Sequence, residues 1–314
     1  MGDMISWLIS GPFVYFSVLV FVVATVKKII AILRLPRHLR WDLYPIAHEG
    51  PAGSNFQKIE FWQSPPPFSL AYELAEMGQE IMLLKKTFLY NRRVWNFSFP
   101  MHMGFYLMIV WWALLKGGAL IEVITGLKIS AASTIFWAQA LNAITVVVGA
   151  TGLVAGLYGT LGLLWLRYTD EDLRDFASPV TFLNLYLIIA LFGVGLAAFI
   201  LADPSFAVAR SYVASLIVFR PIAVTHPLML LEILLVGVFL IYLPFSRMLH
   251  FAAKYFFYHN IMWDDEPLVV GSNLDKAIGG YLNFKMDWGA PHLKPGSSWL
   301  EQATTNPTKP KEGK

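Results

Sequence analysis

Five long apolar stretches are the feature that most constrains the fold of this chain. They run from Trp7 to Val26, Phe99 to Ile121, Thr134 to Trp165, Val180 to Leu201 and Thr225 to Phe245. Each reaches the length of about 20 apolar residues that a helix needs to cross a bilayer, and none shows the period-2 alternation of a barrel strand. Of the 314 residues, 56% are hydrophobic and 14% are charged, against about 25% charged in soluble domains. The sequence therefore predicts an all-α, polytopic membrane bundle with five transmembrane helices.

The distribution of basic residues predicts the orientation of these helices. Twenty of the 24 Lys and Arg residues lie on one side, in the loop 27–98, the connection 166–178 and the tail from Arg247. The other side carries Lys116, Lys128, Arg210 and Arg220. Because cytoplasmic loops carry the excess of basic residues, we expect the N-terminus outside and the C-terminus in the cytoplasm. The predicted location is the cytoplasmic (inner) membrane, with multiple passes.

The chain divides into four predicted regions. Residues 1–33 hold the first transmembrane helix, and residues 34–98 form a cytoplasmic loop that is long enough to dock a partner. Residues 99–258 form a four-helix membrane domain, in which the last helix continues towards Tyr258. Residues 259–314 form a cytoplasmic tail. The apolar segment Ser205 to Arg220 is predicted to be a helix in the outer interface, with a re-entrant piece as the alternative.

Two histidines are the candidate ligands of a cofactor. The chain has no cysteine, which excludes thiolate-bound iron–sulfur clusters and covalently attached haem. His102 opens the second span and His250 closes the fifth, so both are predicted at the same depth near the cytoplasmic face. Imidazoles at matched depth on two helices suit the axial positions of a b-type haem. The alternative is that both are interfacial histidines bonded to water or lipid headgroups.

Four further residues are candidates near these spans. His226 opens the fifth span at its outer end, as a haem ligand, a quinone or proton contact, or a helix cap. Glu232 lies inside that span, where a carboxylate is costly and usually functional, as a proton route or a quinone contact; the alternative is a buried carboxyl group bonded to Ser, Thr or backbone. The 18 residues from Glu232 to His250 are five helical turns, which places both on one face of a continuous helix. Lys116 is a candidate for an outer quinone site or a snorkelling lysine, and Arg247 a candidate partner of a haem propionate.

Glycines recur at three- and four-residue spacing along the third span. They are Gly149, Gly152, Gly156, Gly159 and Gly162. Small residues at this spacing allow the backbones of neighbouring membrane helices to approach closely. The pattern predicts a helix-packing face, with the close approach of a flat porphyrin as the alternative.

Two motifs resemble the gamma subunit of respiratory nitrate reductases. The residues Pro244 to His250 (PFSRMLH) resemble the end of the last helix in that family, and Phe99 to Gly104 (FPMHMG) resembles the start of its second helix. The resemblance implies that His102 and His250 ligate a haem b nearer the cytoplasm. The positions that ligate a second haem in the family hold Trp112 and Glu232 here, so one haem is predicted and a second remains possible.

A third motif, in the inner loop, resembles a different group of proteins. Arg40 to Pro45 (RWDLYP), followed by His48 and Glu49, is similar to the cytochrome b subunits of sulfate-reducer transmembrane redox complexes of the Dsr, Tmc and Hmc types. This resemblance implies a cytoplasmic iron–sulfur partner similar to heterodisulfide reductase. It also implies menaquinone as the substrate and an outer-side multihaem cytochrome c as a possible partner.

The sequence thus predicts a membrane-anchored electron-transfer subunit of a respiratory complex, in which haem supplies the redox chemistry. Whether the chain itself oxidises menaquinol or reduces menaquinone stays open, and no nucleic-acid partner is expected. Two alternatives come from other classes. One is an ion- or proton-conducting subunit that uses Glu232 and His226, and the other is a haem-free membrane anchor.

Overall fold

The computed structural model describes residues 2–34, 59–60, 69–257, 270–290 and 293–305. Over these residues the chain is helical. The helices are α1 (Gly2–Leu33), α2 (Leu70–Met82), α3 (Lys85–Tyr90), α4 (Arg92–Thr125), α5 (Phe136–Thr169), α6 (Glu171–Asp175), α7 (Pro179–Leu201), α8 (Ala207–Ile217), α9 (Pro227–Tyr242), α10 (His250–Phe257), α11 (Asn273–Tyr281) and α12 (Trp299–Thr304).

Five of these helices are long and apolar enough to cross a membrane. They are α1, α4, α5, α7 and the segment Pro227–Phe245, which contains α9. The predicted all-helical fold with five spans is therefore confirmed, and the chain is a multi-pass membrane protein. The helices α4 and α5 are each 34 residues long, about 51 Å at 1.5 Å per residue. Both are longer than the hydrocarbon core of about 30 Å.

The described chain separates into two compact units. The first comprises residues 1–25 and 77–248, and it contains most of the spanning helices. The second comprises residues 26–76 and 249–314.

The predicted glycine face of α5 packs directly on α4. A Cβ atom on Gly159 would overlap the backbone nitrogen of Met101 on α4, and one on Gly104 of α4 would overlap the backbone of Gly156. A Cβ atom on Gly156 would also overlap the ring of Phe192 on α7. Only glycine allows this approach, so the prediction of a helix-packing face is confirmed.

Different polar contacts join the helices at the two ends of the first unit. At one end, Arg93 at the start of α4 forms an ion pair of 2.9 Å with Asp170 at the end of α5. We call this the Arg93 end. At the opposite end, the side chain of Arg210 from α8 lies against Gly118 of α4, and we call this the Arg210 end. These polar contacts therefore show which helix termini lie at the same end of the bundle.

The first helix is held at the Arg210 end through a π-helical turn, Ile9–Phe13, that interrupts α1. The hydroxyl of Ser10 donates to the carbonyl oxygen of Ile222 at 3.0 Å, and the hydroxyl of Tyr212 donates to the carbonyl oxygen of Ser10 at 2.6 Å. A π-helical turn leaves a carbonyl without its usual i→i+4 partner. Side chains and backbone from the segment around α8 supply the missing contacts.

The structure corrects the predicted continuation of the fifth span. The helix α9 ends at Tyr242, and two 3₁₀ turns, Leu243–Phe245 and Arg247–Leu249, precede α10. Pro244 lies at the break, where its ring and its missing N–H prevent a continuous helix. The prediction that Glu232 and His250 share one helical face is therefore wrong. The segment Ser205 to Arg220 does contain the predicted helix, as α8.

Candidate functional site

His102 lies inside α4, ten residues after its start, about 15 Å along the helix from Arg92. Its Nδ1 atom lies 2.7 Å from the carbonyl oxygen of Ser98, one turn earlier, and 3.4 Å from the hydroxyl of the same residue. Because a carbonyl oxygen only accepts, Nδ1 carries the proton and the lone pair of the neutral ring is on Nε2. A bond of this kind fixes the ring and the tautomer of a metal-ligating histidine.

The surroundings of His102 are aromatic and apolar. Its ring lies 6.4 Å from the ring of Tyr106, and the neighbouring Phe105 belongs to the hydrophobic core. The Phe105 ring stacks on Phe239 of α9 with centroids 5.9 Å apart and meets Phe192 of α7 edge-on at 5.0 Å. His102 thus lies one helical turn before Phe105, which packs in an aromatic core formed by three helices.

Pro100 lines a groove that lies on another side of α4. The groove has a volume of about 460 Å³ and lies between α4 and α5; it is lined by Pro100, Ala150, Thr151, Val154, Ala155 and Tyr158. Pro100 and His102 are two residues apart, which turns their side chains about 200° from one another on a helix. The groove therefore does not include the imidazole.

His250 and Arg247 follow the break after α9. Arg247 lies in the 3₁₀ turn Arg247–Leu249 and is exposed, and His250 is the exposed first residue of α10. His102 belongs to the first compact unit and His250 to the second. Their pairing as haem ligands stays a prediction. His38, His48, His259 and His292, together with the motif Arg40 to Pro45, fall outside the described residues.

His226 lies at the Arg210 end, as the exposed N-cap residue of α9. Its side chain forms no capping hydrogen bond, and only its backbone carbonyl takes part, by accepting from the backbone N–H of Leu230 at 3.0 Å. His102 is near the opposite end of the bundle. These two histidines therefore cannot be ligands of the same haem.

Glu232 lies in the second turn of α9, against α7. One carboxyl oxygen would lie 3.2 Å from a Cβ atom on Gly195, so the absence of a side chain at Gly195 makes room for this carboxyl group. The other oxygen, Oε2, is buried and has no hydrogen-bond partner among the described residues. An unpaired polar atom in such a position is costly, so Glu232 stays a candidate functional residue.

Lys116 is placed beside Trp112, four residues earlier on α4. Its ammonium nitrogen lies 3.6 Å from the centroid of the Trp112 ring, a cation–π contact. The indole itself is half-exposed. The sequence did not predict this contact of Lys116 with Trp112, and Glu232 does not take part in it.

The sequence identified Arg210 only as a basic residue of an interfacial helix, yet it is the largest fully buried side chain of the described residues. Its guanidinium donates to the carbonyl oxygen of Ile129, and to Oδ1 of Asn142 from both terminal nitrogens at 3.3 Å. Burial lowers the pKa of Arg210, and the nearby carboxylates of Glu122 and Asp203 oppose that shift. The signal in the sequence was a lone arginine in an otherwise apolar segment.

The site has no metal cluster of the usual protein type, since no group of three or more His, Asp or Glu side chains comes together within the described ranges. Two axial imidazoles on a haem would not form such a group. No protein-family profile and no curated protein matches the sequence. The fold and the spans define the chain as a multi-pass, helical membrane protein.

Proposed function

We propose that the chain is the membrane cytochrome b subunit of a larger respiratory redox complex. In this function it exchanges electrons between the quinone pool, with menaquinone as the substrate, and a cytoplasmic iron–sulfur partner similar to heterodisulfide reductase. An outer-side multihaem cytochrome c is an alternative electron donor. The Arg93 end of the bundle then faces the cytoplasm, in agreement with the distribution of Lys and Arg.

The observation that supports this proposal best is the hydrogen bond from Nδ1 of His102 to the carbonyl oxygen of Ser98. It orients the ring and leaves the basic lone pair on Nε2, which is the arrangement that an axial ligand of iron requires. The aromatic core around Phe105 supplies the apolar environment that a porphyrin needs. The residues of the first unit therefore fit one axial side of a haem b.

The other axial side is assigned to His250 by the motif Pro244 to His250. Arg247, three residues earlier, is the candidate partner of a propionate, because a guanidinium binds carboxylates through charged hydrogen bonds. When bound, the haem supplies one-electron chemistry. The chain would contribute the two imidazoles, and the hydrogen bond to the carbonyl oxygen of Ser98 orients that of His102.

The test is the haem content of the purified protein. We expect a reduced b-type absorption band and about one haem per chain by pyridine haemochrome, the stoichiometry that two axial histidines allow. His102→Ala and His250→Ala should each lose most of this haem. His226→Ala is the matched control, because it removes an exposed histidine at the opposite end of the bundle and should leave the band unchanged.

Retention of full haem in His102→Ala, with an unchanged band, would show that this histidine is not a ligand. Purified protein without any b-type band would refute the proposal as a whole. Size-exclusion profiles of the variants in the same detergent separate the loss of a ligand from the loss of the fold.

Glu232 supports a second candidate function, proton conduction through the bundle. Its buried Oε2 atom without a hydrogen-bond partner lies inside a span, where ionisable residues commonly serve proton pathways. The carboxyl group lies near the Arg210 end and His102 near the Arg93 end. The two proposed functions therefore use different ends of the bundle, and one chain can perform both.

Proton flux into liposomes that contain the purified protein and a trapped pH-sensitive dye tests this second function. We expect Glu232→Gln to abolish the flux while its haem content remains, because a glutamine side chain keeps the shape but carries no exchangeable carboxyl proton. Glu171→Gln, in the exposed turn α6, is the control. Equal flux in Glu232→Gln and in the unaltered chain would exclude this pathway, and a chain with neither haem nor flux would be a haem-free anchor.

A further inference from the structure

The segment 77–90 comprises the last turns of α2 together with α3, and it lies next to the start of the spanning helix α4. We propose that this segment, which we call the α2–α3 segment, is embedded in the lipid bilayer beside α4. It lies within the region 34–98 that the sequence assigned to partner docking. The inference is independent of the haem and of the electron-transfer function.

Two hydrogen bonds place the end of α2 beside the apolar part of α4. The hydroxyl of Tyr106 donates to the carbonyl oxygen of Ile81 at 2.8 Å, and the indole N–H of Trp95 donates to the carbonyl oxygen of Leu83 at 2.8 Å. Tyr106 lies about 20 Å along α4 from Arg93 at 1.5 Å per residue. Even a tyrosine that points back towards Arg93 keeps its hydroxyl within the apolar part of a spanning helix.

These bonds also give partners to backbone carbonyl groups that would otherwise need water. The last carbonyl groups of a helix have no partner within the helix. At an aqueous surface, water satisfies them, whereas in hydrocarbon each unsatisfied group costs several kcal/mol. Here Tyr106 of the spanning helix satisfies the carbonyl of Ile81 in the last turn of α2, and Trp95 satisfies that of Leu83 just after it, so two carbonyl groups at this helix end need no water.

The α2–α3 segment exposes apolar side chains and buries a carboxylate, beside exposed polar residues such as Gln79 and Lys86. Glu80 is 8% exposed, whereas Met82, Leu83 and Leu89 are 46%, 52% and 59% exposed. A helix at an aqueous surface turns its apolar side chains inwards and its charges outwards. On α4, Ile109 lies three residues after Tyr106 and is likewise apolar and 66% exposed.

Basic residues mark the level of the lipid headgroups. Lys85, Lys86, Arg92 and Arg93 lie within nine positions, and the guanidinium carbon of Arg92 lies 3.3 Å from the centroid of the Phe88 ring. Long basic side chains extend from apolar surroundings to the headgroups, and clusters of them bind anionic lipids. Together with the exposed Met82, Leu83 and Leu89, such basic residues at the end of a span favour a lipid surface as the occupant.

The experiment measures the depth of single fluorescent labels in the full chain. Because the chain has no cysteine, Ile81→Cys and Leu89→Cys can each carry one NBD label without removal of other thiols. The protein is placed in nanodiscs of phosphatidylcholine and phosphatidylglycerol, and quenching by doxyl-labelled lipid is compared with quenching by aqueous iodide.

Two labelled controls define the scale. Val110→Cys reports lipid from an exposed position of α4. Asp172→Cys reports water, since its turn follows Asp170, the partner of Arg93, at the same end of the bundle. We expect positions 81 and 89 to be quenched by doxyl lipid several-fold more than position 172, and to approach position 110. Adding Tyr106→Phe should reduce the lipid quenching at position 81 and leave it unchanged at position 110.

Two results would overturn the proposal. Iodide quenching at positions 81 and 89 equal to that at position 172 would place the segment in water. Protection from both quenchers would show that protein covers it, either a partner or a second copy of the chain. Lipid quenching that does not change with Tyr106→Phe would overturn the role given to the tyrosine hydroxyl.

Discussion

Removing the guanidinium of Arg210 should destabilise the bundle more than removing any exposed arginine. Arg210 lies on α8 and is 1% exposed. It connects three elements: its own helix, the loop at Ile129 and the start of α5 at Asn142. Arg210→Ala leaves both acceptors buried without a donor and opens a cavity beside Gly118.

The magnitude follows from the two acceptors. A hydrogen bond from a charged donor contributes about 1.5–3 kcal/mol, so loss of the contacts to Ile129 and Asn142 costs roughly 3–6 kcal/mol by that measure. Removing the charge also relieves part of its desolvation penalty, which burial makes large. We therefore expect Arg210→Ala to lower the free energy of unfolding by about 2–4 kcal/mol.

The assay is equilibrium unfolding by sodium dodecyl sulfate in mixed micelles, followed by the fluorescence of the 11 tryptophans. Arg220→Ala is the matched control, because Arg220 is exposed and lies just after the same helix, and surface substitutions usually change stability by less than about 0.5 kcal/mol. Arg210→Met keeps most of the side-chain volume and isolates the hydrogen bonds from the cavity. Coincident unfolding curves for Arg210→Ala and Arg220→Ala would refute the reasoning.

Two further predictions concern packing and pH. Gly159→Ala should destabilise the α4–α5 pair by several kcal/mol, because the new methyl group would overlap the backbone of Met101. Gly193→Ala is the control: the nearest atom to its new methyl group lies at 3.9 Å, so it should be almost neutral in the same unfolding titration with sodium dodecyl sulfate. Burial raises the pKa of Tyr212 above its usual value. Above about pH 10 the unfolded chain therefore releases a proton that the folded chain keeps, and the free energy of unfolding falls as the pH rises. Tyr212→Phe should show a smaller fall, and a pH profile identical to that of the unaltered chain would contradict this.

The spans and the helix-packing face could be predicted because both depend on local patterns. Apolar length alone identifies a membrane helix, and the glycines of α5 recur at helical spacing against Met101 and Phe192. The carboxyl group of Glu232 was also identified from position alone. A carboxylate inside a membrane span is energetically costly wherever its partner lies, so the sequence alone identifies Glu232 as a candidate functional residue.

The remaining features depend on contacts that are distant in the sequence. Arg210 bonds Asn142 across 68 positions, and Tyr212 bonds Ser10 across 202; no local pattern contains either pair. The break at Pro244 was visible in the sequence, yet the apolar and aromatic residues after it favoured a continuous helix. The contacts of the α2–α3 segment with α4 join residues 25 and 12 positions apart, Tyr106 with Ile81 and Trp95 with Leu83, so no local pattern contains them.

The positions of His102 and Glu232 make the two proposed functions physically separable. His102 lies about 15 Å along α4 from Arg92 and Glu232 about 9 Å along α9 from His226, at opposite ends of the first unit. A redox centre at His102 therefore transfers electrons near the Arg93 end, whereas a proton taken up by Glu232 enters at the Arg210 end. Since the two side chains lie near opposite ends of the first unit, Glu232→Gln should leave the haem spectrum unchanged and His102→Ala should leave proton flux unchanged. Loss of both activities in either single variant would instead show that one coupled site performs both.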